Sequence, residues 1–192
     1  MTRLNPFRAG FRLTPFREAS TKSIWIPSWA MWQSTTAGAA AVAQIESGTH
    51  DLNNKVFDFD ATNQEHVEFS IVMPGNWNAG TVTVVFYWTM STADTGNVRW
   101  GIQARTIVDD ATIDAADFGT AVIVTDTRLA SGDIHKTPET SAMTITTATA
   151  ANLTQFRVFR ESGNAGDTLD VADARLLGVT ILFNVDTLND SL

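Results

Sequence analysis

"EHVEFSIVMPGNWNAGTVTVVFYWTMS", Glu65–Ser91, decides the fold class. Its first part sets Val67, Phe69, Ile71 and Met73 at every second position, with Glu68 and Ser70 between them. Its last part repeats the pattern with Val82, Val84, Phe86, Trp88 and Met90 against Thr81, Thr83, Val85, Tyr87 and Thr89. Side chains along a strand point to alternate faces, so each run buries one face and turns the other outward. Pro74-Gly75-Asn76 between the runs is a turn signal. The β-branched and aromatic content of the second run suits a pleated, half-buried surface.

The same period recurs on both sides. Val98–Val108, "VRWGIQARTIV", turns Val98, Trp100 and Ile102 inward, and Asp94-Thr95-Gly96-Asn97 before it reads as a hairpin loop. In "ARLLGVTILFNVD", Ala174–Asp186, plain alternation puts Leu177, Val179, Ile181, Phe183 and Val185 on one face. Shorter candidate strands are Ile24–Trp32, Ala40–Glu46, Lys55–Phe59, Thr120–Thr127, Ala142–Thr147 and Gln155–Arg160. Helix signals are weak: Ala111–Phe118 would give one or two turns, and Thr14-Pro15 would start a short helix. Nine or ten strands with turns between them predict an all-β chain, an antiparallel β-sandwich. A closed barrel or a propeller fits the same spacing, and a β-helix fits worst because no short repeat is present.

With 192 residues, 44% of them hydrophobic and 18% charged, the chain suits one folded domain with a sizeable core. It has no cysteine, which removes disulfides, thiolate metal sites and a Cys nucleophile. No apolar run is long enough for a membrane span, and the N-terminus lacks the apolar stretch of a secretory signal. Charge is unevenly distributed. Residues 1–22 hold five bases and one acid, a net of +4, while the rest holds eight bases and twenty acids, a net of −12. An acidic body is the wrong sign for binding phosphates, so nucleic acid is not an expected partner, and neither is a membrane. The charge boundary divides the chain into a basic N-terminal arm, 1–22, and a sandwich domain, 23–192.

Catalytic motifs are missing. His50, His66 and His135 show no metal-ligand spacing, and there is no P-loop, nucleophile elbow or dinucleotide fingerprint. Asp109, Asp110, Asp114 and Asp117 could be read as a hard-cation loop, but without the EF-hand spacing a solvated loop is the simpler reading. Asp58 and Asp60 flank Phe59 on a strand, which makes them outer-face residues rather than a hydrolase pair. The expectation is therefore a protein that is not an enzyme, with no metal site and no cofactor. Of six tryptophans, Trp88 and Trp100 lie on core faces. Trp77, in the turn "PGNWNAG", is the candidate glycan contact, against the simpler outcome of a loop Trp plugging the sandwich end. Trp29 and Trp32 would cover an edge or meet a neighbouring subunit.

"SIWIPSWAMW", "VFDFDATNQEHVEFSIVMPGNWNAGTVTVVFYWT", "VRWGIQAR", "GTAVIVTDT" and "ARLLGVTILFNVD" together resemble a family of tailed-bacteriophage virion accessory proteins of about 200 residues, over Ser23 to Asp186. The resemblance implies a jelly-roll-like sandwich serving as a capsid decoration, head fibre or tail appendage, made in the host bacterial cytoplasm and resident in the virion. It implies other virion proteins as partners and, by analogy with similar spikes, a homotrimer. Residues 1–22 depart from the family pattern. Pro6-Phe7-Arg8 and Pro15-Phe16-Arg17, with Phe11-Arg12 between them, read as an extended anchoring arm. Phenylalanines give apolar area with few rotors to freeze, arginines give forked donors, and prolines limit the unfolded ensemble. The expected function is a non-enzymatic virion structural protein docked by this arm. The alternative is a host-glycan-binding, receptor-binding module of a tail fibre.

Overall fold

The computed structural model describes residues 20–90, 92, 94–169 and 172–186. The arm residues Pro6, Phe7, Arg8, Phe11, Arg12, Pro15, Phe16 and Arg17, and the Thr14-Pro15 helix start, lie outside the described residues.

Among the described residues eleven strands form two antiparallel sheets, a jelly-roll-like sandwich. In chain order they are β1 (Ser20–Pro27), β2 (Trp32–Gln33), β3 (Ala43–Glu46), β4 (Asn53–Phe59), β5 (His66–Val72), β6 (Trp77–Thr89), β7 (Asn97–Ile107), β8 (Val122–Thr127), β9 (His135–Lys136), β10 (Leu153–Arg160) and β11 (Ala174–Val185). One sheet, here sheet A, runs β3-β4-β11-β6-β9, with β1 also paired to β11. Sheet B runs β2-β5-β10-β7-β8. Strands β1 and β4 share one flank of β11: β4 pairs its first three residues and β1 the stretch from Gly178 onward.

The alternation read from Glu65–Ser91 is the observed one. Val67, Phe69, Met73, Val82, Val84, Phe86, Trp88 and Met90 are all buried. Aromatic rings from both sheets meet in the middle. Trp100 of β7 takes Phe59 edge-on at 5.2 Å and Phe86 stacked at 5.8 Å, and Phe69 stacks on Phe156 at 4.9 Å. The Trp100 contacts join the two layers in preferred offset and edge-to-face geometry, while Phe69 and Phe156 stack between neighbouring strands of sheet B.

At one end the two sheets are tied by a buried ion pair. Arg160, the last residue of β10, and Asp167 have side chains 0% and 1% exposed. Arg160 donates twice to the Asp167 carboxylate, at 3.0 and 2.8 Å, and also to the carbonyls of Phe59, Ala172 and Leu169. Phe59 ends β4 of sheet A, so one guanidinium joins β10, the loop after it and the opposite sheet. Its donors are satisfied, which is the condition for tolerating a buried charge.

Several expectations are corrected. Ile24–Trp32 is not one strand: β1 ends at Pro27, a single 3₁₀ turn covers Ser28–Ala30, and β2 continues in the other sheet. Proline has no N–H for the ladder, and the Ser28 hydroxyl, fully buried, donates to the Lys55 carbonyl at 2.5 Å. Ala142–Thr147 forms only single bridges, Val82 to Met143 and Arg105 to Thr146, so it crosses from one sheet to the other. Ala111–Phe118 makes turns and no helix. Strand β1 starts at Ser20, so the last three residues assigned to the arm already belong to the sheet.

Two placements matter for function. Leu177 lies on the outer face, because the pairing of β11 with β6 skips a residue between Leu176 and Gly178. Such a bulge adds one residue and reverses the alternation on one side of it. Trp77 is 3% exposed and sits in the core, paired to Val185 at the start of β6. Ala79, at φ +53°, and a second register shift, between Phe183 and Val185, reverse parity there, so Trp77 faces inward like Val82. It presents no face to a glycan.

Candidate functional site

The tryptophans that face solvent are others. Trp25 is 47% exposed and Trp29 67%. Trp25 sits in β1 on the outer face of sheet A, while its neighbour Ile26 is turned into the core. The cross-strand row Pro27–Gly178–Tyr87 lies beside it. Tyr87 meets the Trp25 indole edge-on, 5.1 Å between centroids at 89°. Gly178 makes room for that ring: a Cβ there would come within 2.5 Å of the indole and of the Ile26 carbonyl. The bulge that put Leu177 outside therefore also creates the bare backbone on which Trp25 rests.

Trp29 follows on the 3₁₀ turn that the Ser28–Lys55 bond holds against β4. Between the two indoles lies a shallow groove of about 470 Å³, walled also by Tyr87, Leu177 and Ile134 and lined by Asn53, Asn54 and Lys55. Leu177, Ile134 and Asn54 continue into a second hollow of about 360 Å³ that ends at Glu46 and Arg175. Arg175 is held by Asp58 at 3.2 Å. The surface thus offers flat aromatic faces, amides, an ammonium and a fixed ion pair along a continuous depression. Its volume is in the range of small-ligand clefts.

Asp58 and Asp60 are outer-face residues occupied with structure. Asp60 accepts from the Thr62 hydroxyl and from the Thr62 and Asn63 amides, all at 2.7 Å, and these bonds bring its pKa down to about 2. Glu65 accepts from the Asp60 amide at 2.8 Å, and burial raises its pKa. Asp109, Asp110, Asp114 and Asp117 are exposed. Among the described residues no three His, Asp or Glu side chains are grouped to hold a metal ion. His66 packs against Phe159, and burial, followed by the nearby Arg157 charge, lowers its pKa against the opposing pull of Glu68.

The sequence reading missed Trp25 as a site residue because it assigned Ile24–Trp32 to one strand. Two signals were available: the proline at 27, and a glycine inside the strongest strand pattern of the chain.

No family model and no curated protein matches the chain. Solved structures share its outline. The CBM22-2 xylan-binding domain of Paenibacillus barcinonensis Xyn10C is 11% identical at a TM-score of 0.48, over 82% of this chain and 92% of that one. A family 11 carbohydrate-binding module of Clostridium thermocellum is 9% identical at 0.45, over 88% and 99%. A Paenibacillus cycloisomaltooligosaccharide glucanotransferase is 13% identical at 0.41, and the chain spans 18% of its length. With identities this low and TM-scores under 0.5, the fold assignment rests on the strand pairing described above.

Proposed function

We propose that this sandwich is a non-catalytic binding module that takes carbohydrate in the groove between Trp25 and Trp29. The Trp25 indole carries the reading: it lies open to solvent over Gly178, braced from the side by Tyr87. A soluble protein gains nothing in the core by keeping a large apolar ring outside, and a flat exposed ring next to amides matches the two surfaces of a pyranose, one apolar and one polar. Asn53, Asn54 and Lys55 supply the polar side. The probe is a panel of immobilised neutral hexasaccharides: β-1,4-glucan, β-1,4-xylan, β-1,3-glucan and α-1,6-glucan. At least one is retained by the chain, and Trp25→Ala and Trp29→Ala each weaken retention about tenfold with an unchanged unfolding midpoint. No retention on any of the four, or full retention by both variants, rejects the reading.

For the setting we propose a virion, where the module faces outward as part of a homo-oligomer and residues 1–22 dock on a capsid or tail protein. Support comes from the resemblance over Ser23 to Asp186 and from a +4 arm on a −12 body. Removing residues 1–19 from the phage-encoded chain is expected to leave particles without it. Full occupancy of particles by the truncated chain rejects arm docking.

A further inference from the structure

The segment Trp25–Trp32, "WIPSWAMW", carries three exposed indoles within eight residues, and they do not share a face. Trp25 belongs to sheet A. Trp32, 46% exposed, belongs to β2 and so to sheet B. From Trp32 a cross-strand row runs over the outer face of sheet B to Glu68 on β5 and Arg157 on β10. Residues directly opposite on neighbouring strands share a face, so all three side chains look outward.

A cleft of about 370 Å³ lies over this row. Its floor is fixed before any ligand arrives. Glu68 accepts from Arg157 Nε at 2.9 Å through one oxygen and from Gln155 Nε2 at 2.8 Å through the other. The Arg157 guanidinium lies over the Phe118 ring at 4.2 Å. Arg105 reaches the same ring at 5.5 Å, donates to Gln155 Oε1 at 3.1 Å and to the Ala116 carbonyl, and so fixes the loop that carries Phe118. Gln33, the hydroxyl-bearing residues Ser34, Thr35 and Thr36, and His66 line the cleft beside Trp32.

We infer that this cleft is a second carbohydrate site, for a neutral sugar, on the face opposite the Trp25–Trp29 groove. The inference rests on the carbohydrate reading of that groove. Charge selects the ligand class. Glu68 and Arg157 neutralise each other, so the floor presents oriented donors and acceptors with little net field for an ion. An indole face, a row of hydroxyls and a locked ion pair match a ring with one apolar side and several hydroxyls. The single carboxylate at the floor is held by Arg157 and Gln155, and His66 lines the cleft beside it.

Two sites on opposite faces make the module bivalent. One short oligosaccharide cannot occupy both, whereas two polymer chains can be joined through one molecule. The test uses the full chain with whichever of the four neutral hexasaccharides is retained, by calorimetry, and the matching soluble polymer, by light scattering. The expected result is two hexasaccharides per chain, one per chain in Trp32→Ala and one in Trp25→Ala, with polymer scattering abolished in either variant. A stoichiometry of one that Trp25→Ala removes and Trp32→Ala leaves untouched overturns the second site while the first stands. No binding to any hexasaccharide overturns both.

Discussion

The outer faces of the two sheets solve the same problem differently. On sheet A, relief comes from apolar parts: Trp25 propped over Gly178, Leu177 pushed out by a bulge, and exposed Ile134. On sheet B, the face is a hydrogen-bonded lattice of Glu68, Gln155, Arg157 and Arg105, roofed by Phe118. The first depends on backbone shape and the second on charge pairing. Sheet A should therefore respond to changes in volume, and sheet B to changes in protonation.

The sharpest way to break the comparison is to remove what holds both faces in place. Arg160→Met leaves Asp167 buried without its partner, and an uncompensated buried charge costs roughly 3–5 kcal/mol. Urea unfolding should show that loss, and Arg160→Met with Asp167→Leu should recover much of it, because an apolar pair replaces the ion pair. If the single variant lost less than ~1 kcal/mol, Arg160 would not join the sheets.

Gly178→Val separates the faces. Overpacking costs about 1–3 kcal/mol, and the displaced Trp25 should weaken hexasaccharide retention in the sheet A groove about tenfold. Retention that depends on Trp32 should stay unchanged. Equal loss at both sites would make the distinction between the faces empty.

The smallest effect belongs to sheet B alone. Burial and Arg157 hold the His66 pKa below its ordinary value of 6.5. The unfolded chain then binds the proton more readily than the folded one, so stability is fully present above pH 6.5 and falls as pH drops through the folded pKa. Thermal unfolding midpoints between pH 7 and pH 5 should decline, and His66→Phe should flatten part of that decline. An identical slope in the variant would assign the decline to other groups.

Strand identity was legible in the sequence because alternation is local. Glu65–Ser91 places most of its core residues correctly, with Ile71 only partly buried and Val85 and Trp77 buried beyond expectation. Face assignment failed at Leu177, where a bulge reverses parity and plain alternation was carried through Gly178, its one local mark. The site was less legible than the fold. Trp77 follows a turn, which leaves both a glycan contact and a plug of the sandwich end open to the sequence, and it is buried as a plug is. Trp32 reached the opposite sheet through a crossover whose only local mark was Pro27. The helix expected at Ala111–Phe118 gave way to turns that carry Phe118 onto Arg157 and Arg105, a contact with β10 and β7 that no local propensity encodes.

The pairing of β1 with β11 has a mechanical side. Ser20 sits opposite Val185 and Pro27 opposite Gly178, so the strand runs lengthwise along its partner. Ladder hydrogen bonds lie across the strand axis. A pull that enters at Ser20 and is resisted at the Gly178 end of β11 runs along that axis and loads the whole ladder at once. A pull between Ser20 and Val185 acts across it and opens the pairs one after another. The same eight residues form a firm tether in the first geometry and a zip in the second.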